Sequence, residues 1–126
     1  MLAFDHGEVY LKGVGLWLDP RSRRPFSFVS HGHSDHLRGH PKVLLSERTA
    51  PFYRRRFKRG QILAQPFNRP FELGDYRVEL FPSGHILGSA QILIEGDLRV
   101  VYTGDFITYE SAEQFAQLAT VLQHAP

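Results

Sequence analysis

Cysteine is absent from the sequence of 126 residues. Disulfide bonds and thiolate metal sites are therefore excluded, and imidazole and carboxylate groups are the side chains left to hold a metal ion. Long apolar runs are also absent, since no stretch approaches the ~20 residues needed to cross a bilayer. The opening residues, MLAFDHGEVY, have neither the basic nor the apolar region of a secretory signal. We therefore expect a cytoplasmic protein with no membrane segment.

Acidic residues are scarce in one part of the chain. Residues 21–59 contain eleven Lys and Arg against two acids, whereas the remainder contains four against eleven. The densest part is YRRRFKR at 53–59, which is either a solvated helix face or a phosphate-binding surface. Other basic residues of the same segment favour the second interpretation, namely Arg21, Arg23, Arg24 and Arg38. We therefore predict that DNA or RNA binds at Arg54, Arg55, Arg56, Lys58 and Arg59.

Most of the chain has the pattern of short β-strands. Hydrophobic residues make up 42% of the sequence and aromatic residues 13%, which suffices for the core of one domain over residues 1–126. EVYLKGVGLWLD predicts a strand pair or a single bent strand, with Gly13 and Gly15 easing the turn. Further strands are predicted in FSFVS, KVLLS, QILAQPF, YRVELFPS, AQILIEG and LRVVYTGDF, with EGDL as a hairpin turn between the last two.

Two segments have the pattern of helices. ERTAPFYRRRFKRG predicts one early basic helix, with Thr49 as its cap, Pro51 in its first turn and Gly60 as its stop. Near the end of the chain, SAEQFAQLATVLQHA combines a capping box with helical spacing of apolar residues, and predicts an amphipathic helix that covers a sheet face. The fold class predicted from these patterns is α/β in the broad sense, more closely α+β.

Histidines are concentrated in FSFVSHGHSDHLRGH, which contains four of the seven in the chain. On an extended turn His31 and His33 project to the same side, so their imidazoles can converge on one metal ion. Asp35 and His36 can reach a second position close by. A single histidine here would be an ordinary surface residue, but clustered neutral imidazoles gain nothing from proximity without a shared charge partner. The spacing therefore favours a site for two metals.

The motif HGHSDH resembles the metal-binding signature of the metallo-β-lactamase fold. Two later motifs follow in the family's order, PSGHILGSAQ and VVYTGDF. Together they are most similar to the β-CASP nuclease branch, which includes RNA 3′-end processing endonucleases, bacterial ribonucleases and DNA-ligase-associated exonucleases. The resemblance covers residues 7–106 and implies the N-terminal portion of an αββα sandwich, closest to the ligase-associated or processing-factor group.

This resemblance implies two zinc ions, with manganese as an alternative, and a role for each matching residue. The residues implied to hold the metals are His31, His33, His85, Asp35, His36 and Asp105. In the implied arrangement the first three hold one ion, the next two hold the other, and the last bridges them. Asp35, His36 and Asp105 are then also the catalytic residues. Asp19 matches the upstream aspartate that orients the histidine motif. For the other histidines, His6, His40 and His124, we expect no metal role.

Two close zinc ions acidify water and stabilise charge on phosphate oxygens, so the resemblance implies hydrolysis of nucleic-acid phosphodiesters in the manner of an exonuclease. Two alternatives remain open at this point. One is a small-molecule metallohydrolase of the same fold, such as a thioester or lactam hydrolase. The other is a non-catalytic metal-binding or interaction module.

A β-CASP enzyme continues beyond its TGDF motif with the rest of the domain, an inserted cap domain and further ligand motifs. Here the chain ends about twenty residues after Asp105. We therefore expect an incomplete domain without the cap, with weak or no turnover in isolation. We also expect self-association or a complementing polypeptide to cover its apolar face.

Overall fold

The computed structural model describes residues 2–5, 7–31, 38–83, 89–104 and 107–110. Within these ranges the chain forms two β-sheets and one short helix. The elements in chain order are β1 (Leu2–Asp5), β2 (Glu8–Leu11), β3 (Leu16–Leu18), β4 (Phe26–Phe28), β5 (Lys42–Ser46), α1 (Ala50–Arg56), β6 (Gln61–Gln65), β7 (Phe71–Leu73), β8 (Tyr76–Pro82), β9 (Ala90–Glu95), β10 (Arg99–Tyr102) and β11 (Ile107–Glu110).

The first sheet contains β1 to β6 in sequence order. Its first three strands pair antiparallel, and β3, β4, β5 and β6 then pair parallel. Of the two structures predicted for EVYLKGVGLWLD, the strand pair is the one observed, as β2 and β3. Gly13 and Gly15 both have positive φ at the turn, of 95° and 66°, a conformation that glycine adopts without steric cost. Because β3 and β4 run parallel, their C-terminal ends meet at one edge of the molecule.

The second sheet is antiparallel in the order β11, β10, β9, β8, β7. The predicted hairpin between β9 and β10 is confirmed, with Glu95 opposite Arg99 at its closed end. Three strands lack a clear sequence pattern and were not predicted: β1, β7 and β11.

The two sheets pack face to face around the main core. Alternate residues of β8 and β9 are buried, as expected for strands with one face on a core. Phe28 and Leu44 of the first sheet meet Leu80 and Ile92 of the second in one cluster of buried side chains. Helix α1 lies on the opposite face of the first sheet, where fully buried Tyr53 packs with Val43, Leu45 and Val29. The described part is therefore a helix–sheet–sheet arrangement.

The early basic helix is confirmed, with Thr49 at the N-cap position as predicted. Thr49 nevertheless makes no side-chain capping bond, because its own backbone is helical and its Oγ1 accepts a hydrogen bond of 3.0 Å from Ser46 Oγ. The helix also ends earlier than expected, at Arg56, with Phe57 already extended; Gly60 follows in the loop to β6. The C-terminal amphipathic helix predicted in SAEQFAQLATVLQHA lies outside the described residues.

Candidate metal centre

The ends of β3 and β4 are joined by the carboxylate of Asp19. Asp19 follows β3, and its backbone N–H donates to the carbonyl of Phe28 at 2.9 Å. Its Oδ1 atom accepts a hydrogen bond of 2.8 Å from the backbone N–H of Ser30, two residues beyond β4. The residue next along the chain is His31, the first histidine of HGHSDH. Asp19 thus fixes the backbone immediately before the histidine motif.

The backbone and the charge of Asp19 are both unusual. Its φ is 44°, in the left-handed region that aspartate tolerates better than most residues. Burial between the sheets raises the pKa of its carboxyl, while hydrogen bonds from Ser30 and Tyr102 and the nearby His31 act in the opposite direction. A partly buried carboxylate at this position therefore depends on its hydrogen-bond donors to remain charged.

The second sheet reaches the same carboxylate through Tyr102. Tyr102 ends β10, and its hydroxyl lies 2.7 Å from Oδ2 of Asp19 and 2.9 Å from the carbonyl oxygen of Gly104. Gly104 has a φ of 100°, and a Cβ added there would lie 3.4 Å from Ser30 Oγ, so the chain passes close to Ser30 just before Asp105. The TGDF motif therefore leaves the second sheet beside the start of the histidine motif.

The third motif is anchored at the same place. The backbone N–H of Ala90, at the start of β9, donates to the carbonyl of Ser30 at 2.8 Å. The N–H of Ser83 donates to the carbonyl of Ser89 at 3.0 Å, which closes the base of the segment that contains His85. Ser30 therefore lies against one residue of each motif, namely His31, Ala90 and Gly104.

His31 is the one predicted metal ligand that the structure describes. Its Nδ1 atom lies 2.9 Å from Ser30 Oγ, so Nε2 is the nitrogen left for a metal ion, an arrangement typical of metal-bound histidines. Nearby, Ser89 Oγ is buried and has no hydrogen-bond partner among the described residues. The free Nε2 atom of His31 suits a metal held by nitrogen and oxygen atoms.

The remaining predicted ligands, His33, Asp35, His36, His85 and Asp105, lie outside the described residues. Within the described ranges, no three side chains of the types that bind metals come together as a site. The ligand roles of these residues, and that of His31, stay predictions.

An open cavity of about 500 Å³ adjoins this network. Asp19 and Tyr102 lie on its wall, together with Glu8 and Arg21. Apolar side chains complete it, namely Val9, Leu18 and Ile107. The cavity lies between the ends of β2, β3, β10 and β11. Asp19 on its wall bonds the backbone of Ser30, the residue just before the histidine motif.

Four residues that organise this region were not predicted as site residues. Ser30 and Tyr102 lie in or next to the motifs, but their sequence positions do not show that they bond Asp19. Ser89 follows GHILG and has no distinctive spacing. For His40 no metal role was expected; the structure shows it buried, with 3% of its surface exposed, although its neighbours Gly39 and Pro41 give no sign of that.

The basic segment forms an exposed surface around the end of α1. Arg55, Arg56, Lys58 and Arg59 are exposed, whereas the Arg54 guanidinium turns back to donate to the carbonyl of Gly60 at 2.9 Å. The last two of the exposed residues lie in the loop after the helix rather than on it. A Cβ on Gly39 would clash with the Phe57 ring, so Arg38, its neighbour, lies close to this end of α1. We call Arg38, Arg55, Arg56, Lys58 and Arg59 the basic surface.

Arg24 does not belong to this surface, contrary to the sequence-based expectation. Its guanidinium forms an ion pair with Glu8 at 2.9 Å and approaches Asp5 at 3.5 Å. It also lies 3.7 Å from the centroid of the Trp17 ring, which stacks in turn on Tyr10. The charge of Arg24 is therefore offset within the fold and is not presented to a phosphate.

No helix in the described part of the chain is long and apolar enough to cross a membrane. The chain matches no protein-family model. Over 109 residues, 82% of the chain, it is 45% identical to a protein of Opitutus terrae named as a probable DNA ligase. That stretch is 10% of the relative, so the chain spans a small part of the relative's length.

The fold is similar to that of CmlA, a diiron β-hydroxylase from Streptomyces venezuelae. The TM-score is 0.57, and the similarity covers 91% of this chain and 30% of the CmlA chain. Sequence identity is 16%, so the likeness concerns the fold alone. A fold similar to the one described above therefore occurs in a solved protein.

Proposed function

We propose that this chain is the N-terminal part of a metallo-β-lactamase-fold hydrolase that cleaves nucleic-acid phosphodiesters with the help of zinc. The observation that carries the proposal is the convergence of the three motifs. His31, Ala90 and Gly104 each belong to a different motif, and each lies against Ser30 through the contacts described above. Chance placement of three such motifs would not bring their flanking residues to one serine.

DNA is the favoured partner within this proposal. The relative at 45% identity is named as a DNA ligase, and the β-CASP branch includes exonucleases associated with such ligases. The basic surface supplies cationic side chains that can neutralise backbone phosphates. Binding at the basic surface would place a DNA strand on the side of the first sheet that α1 covers.

Each described residue has a defined task in this function. Asp19 holds the backbone of Ser30, and Ser30 Oγ orients the ring of His31 so that Nε2 is available to the metal. Tyr102 holds the strand end that leads to Asp105 against the same carboxylate. Zinc, when bound, acts as a Lewis acid on a phosphate oxygen. Asp19, Ser30 and Tyr102 thus hold the backbone next to the residues that would bind the ion.

Linked binding of zinc and DNA tests this proposal without requiring turnover. Fluorescence anisotropy of a labelled single-stranded phosphorothioate DNA would be measured with and without zinc, for the wild-type chain and for His33→Ala. We expect zinc to raise the DNA affinity of the wild type and to leave that of His33→Ala unchanged. An equal response of both proteins to zinc would reject a metal site that contacts phosphate.

A small-molecule metallohydrolase is the second candidate, and the cavity beside Asp19 is the observation that favours it. Its volume of about 500 Å³ lies within the range of ligand pockets, and it combines apolar walls with the polar groups of Glu8 and Arg21. Zinc-dependent hydrolysis of chromogenic thioester or lactam substrates, with no effect of zinc on DNA affinity, would favour this candidate.

A further inference from the structure

We propose that His40 is a positioning residue that sets the metal affinity of the centre by fixing the far end of the histidine segment, residues 31–40. The inference rests on the proposed function. It concerns a histidine that the sequence gives no metal role. Asp19 holds one end of this segment through Ser30. His40 lies at the other end, and the structure shows it held by both its side chain and its backbone.

The imidazole and the backbone of His40 contact two different elements. Nδ1 accepts a hydrogen bond of 3.0 Å from the backbone N–H of Arg24, in the loop between β3 and β4. The backbone N–H of His40 donates to the hydroxyl of Tyr53, in α1, at 3.0 Å. Both Tyr53 and His40 are buried, at 0% and 3% exposure. Because water does not reach these groups, breaking either bond would leave a buried polar group unsatisfied, which costs free energy.

The carbonyl side of His40 is enclosed as closely. A Cβ added to Gly60 would lie 2.6 Å from the carbonyl oxygen of His40, so the loop after α1 passes directly over it. A Cβ on Gly39 would lie 2.8 Å from the Phe57 ring. The last residues of the histidine segment are thus confined between the end of α1 and the loop that follows it.

Arg24, which donates to the imidazole, is itself fixed. Its side chain donates through Nε to Glu8 Oε2 at 3.0 Å and lies over the Trp17 ring. Glu8 also accepts hydrogen bonds from the backbone N–H groups of Arg21 and Ser22, which hold the same loop against β2. The backbone N–H of Arg24 is therefore held in a fixed position. If His40 moved, its Nδ1 atom would lose this hydrogen bond.

Fixing both ends of a short segment restricts the conformations available between them. His33, Asp35 and His36 lie between these ends in sequence. Groups that are already positioned when a ligand binds lose less conformational entropy, which raises affinity. Removing the hold at His40 should therefore lower zinc affinity even though His40 contacts no metal.

Four substitutions separate this role from a general effect on stability. His40→Leu removes the acceptor for Arg24, whereas His40→Asn keeps an acceptor, its Oδ1, close to the position of Nδ1. Tyr53→Phe removes the hydroxyl that accepts from the His40 backbone. Tyr76→Phe is the matched control, because its hydroxyl bonds Asp97, beside the turn between β9 and β10.

Zinc affinity would be measured by competition with a chromophoric chelator, alongside thermal unfolding of the zinc-free proteins. We expect His40→Leu and Tyr53→Phe to lose about 10-fold to 100-fold in zinc affinity, as for loss of other groups that orient metal ligands. His40→Asn should restore most of that affinity, and Tyr76→Phe should bind zinc as the wild type does.

Each outcome decides a separate question. Unchanged affinity in His40→Leu and Tyr53→Phe, with zinc binding lost in His33→Ala, would overturn the role of His40 and leave the proposed function standing. An equal loss in Tyr76→Phe would also overturn it, since the effect would then follow stability. A wild-type chain that binds no zinc would reject the proposed function, and this inference with it.

Discussion

The hydroxyl of Tyr102 lies 2.7 Å from Oδ2 of Asp19, although the two residues are 83 positions apart in sequence. This hydrogen bond connects the end of β10 in the second sheet to the end of β3 in the first. Asp19 in turn accepts from the backbone of Ser30 at 2.8 Å. One carboxylate therefore sets the distance between the start of the histidine motif and the strand that leads to Asp105.

Tyr102→Phe should loosen the connection between the end of β10 and the end of β3. Loss of a hydrogen bond to a charged acceptor costs about 1.5–3 kcal/mol of unfolding free energy. Zinc affinity should fall as well, because Gly104 would no longer be held beside Ser30. Urea unfolding and chelator competition measure the two effects. Tyr76→Phe, which loses a bond to exposed Asp97, should leave zinc affinity unchanged; a reduced affinity there would show that the test responds to any lost hydroxyl.

Asp19→Asn and Asp19→Ala should differ in a defined way. Asparagine tolerates the positive φ of 44° and keeps an oxygen that accepts from Ser30, so the fold should persist. The negative charge near His31 is lost, so zinc affinity should fall by about 10-fold or more. Alanine removes both acceptors as well as the charge and should also destabilise the fold. Identical unfolding midpoints for the two variants would contradict this account of the backbone.

Much of the fold was accessible from local patterns. KVLLS is apolar almost throughout because β5 is central in parallel pairing and buried on both faces, and the structure places it at the predicted residues. YRVELFPS alternates because β8 has one face on the core. In both cases the burial of a strand determines its composition, so the pattern can be read without knowledge of the partners.

The candidate site depends on contacts that no local pattern shows. Nothing near Tyr102 in sequence indicates a bond to Asp19, because the two meet only when the sheets pack. His40 was given no metal role because it precedes a proline and has no ligand-like neighbour in sequence, while its partners, Arg24 and Tyr53, are distant in sequence. The sequence pattern placed Arg24 in a basic patch, because its ion pair with Glu8 joins residues that are 16 positions apart.

Acid should destabilise the protein through His40. Burial lowers the pKa of His40, with the Arg23 charge acting in the same direction and the Glu8 charge opposing it, and the Arg24 N–H is donated to Nδ1 of the neutral ring. The folded state therefore binds fewer protons than the unfolded state, whose histidine titrates near pH 6.5. This contribution to stability is complete above about pH 6.5 and is lost as the pH falls through the folded-state pKa.

The unfolding free energy, measured from about pH 8 to about pH 5, should thus decline more steeply in the wild type than in His40→Asn. Comparing the two proteins cancels the other titrating groups. Parallel pH profiles would show that the imidazole is protonated without cost in the folded state.

The basic surface should account for the salt dependence of DNA binding. Replacing Arg55, Lys58 and Arg59 with alanine removes three exposed cations, and each lost phosphate contact should flatten the salt slope by roughly 0.7 to 0.9. The control replaces three other exposed cations, Lys12, Arg69 and Arg77, which lie outside the basic segment. Equal slopes for the two triple variants would identify the basic surface as a solvated face.

Ser30 and Ser27 provide the sharpest comparison at the proposed metal centre. Both are buried serines at β4 or just after it, but Ser30 Oγ lies 2.9 Å from Nδ1 of His31, whereas Ser27 Oγ is buried without a partner among the described residues. Ser30→Ala keeps the backbone bonds to Asp19 and Ala90 and removes only the contact that orients the ring.

Zinc affinity of Ser30→Ala should therefore fall by about 10-fold, with little change in unfolding free energy. Ser27→Ala removes a hydroxyl that makes no hydrogen bond to any residue the structure describes, so it should leave zinc affinity unchanged and leave stability equal or higher. Nitrogen chemical shifts of His31 in the metal-free proteins supply a second measurement, because loss of the Ser30 contact should shift the tautomer equilibrium of the ring. If Ser30→Ala binds zinc as tightly as Ser27→Ala does, then the ring of His31 does not depend on Ser30, and the described residues do not orient a metal ligand as proposed.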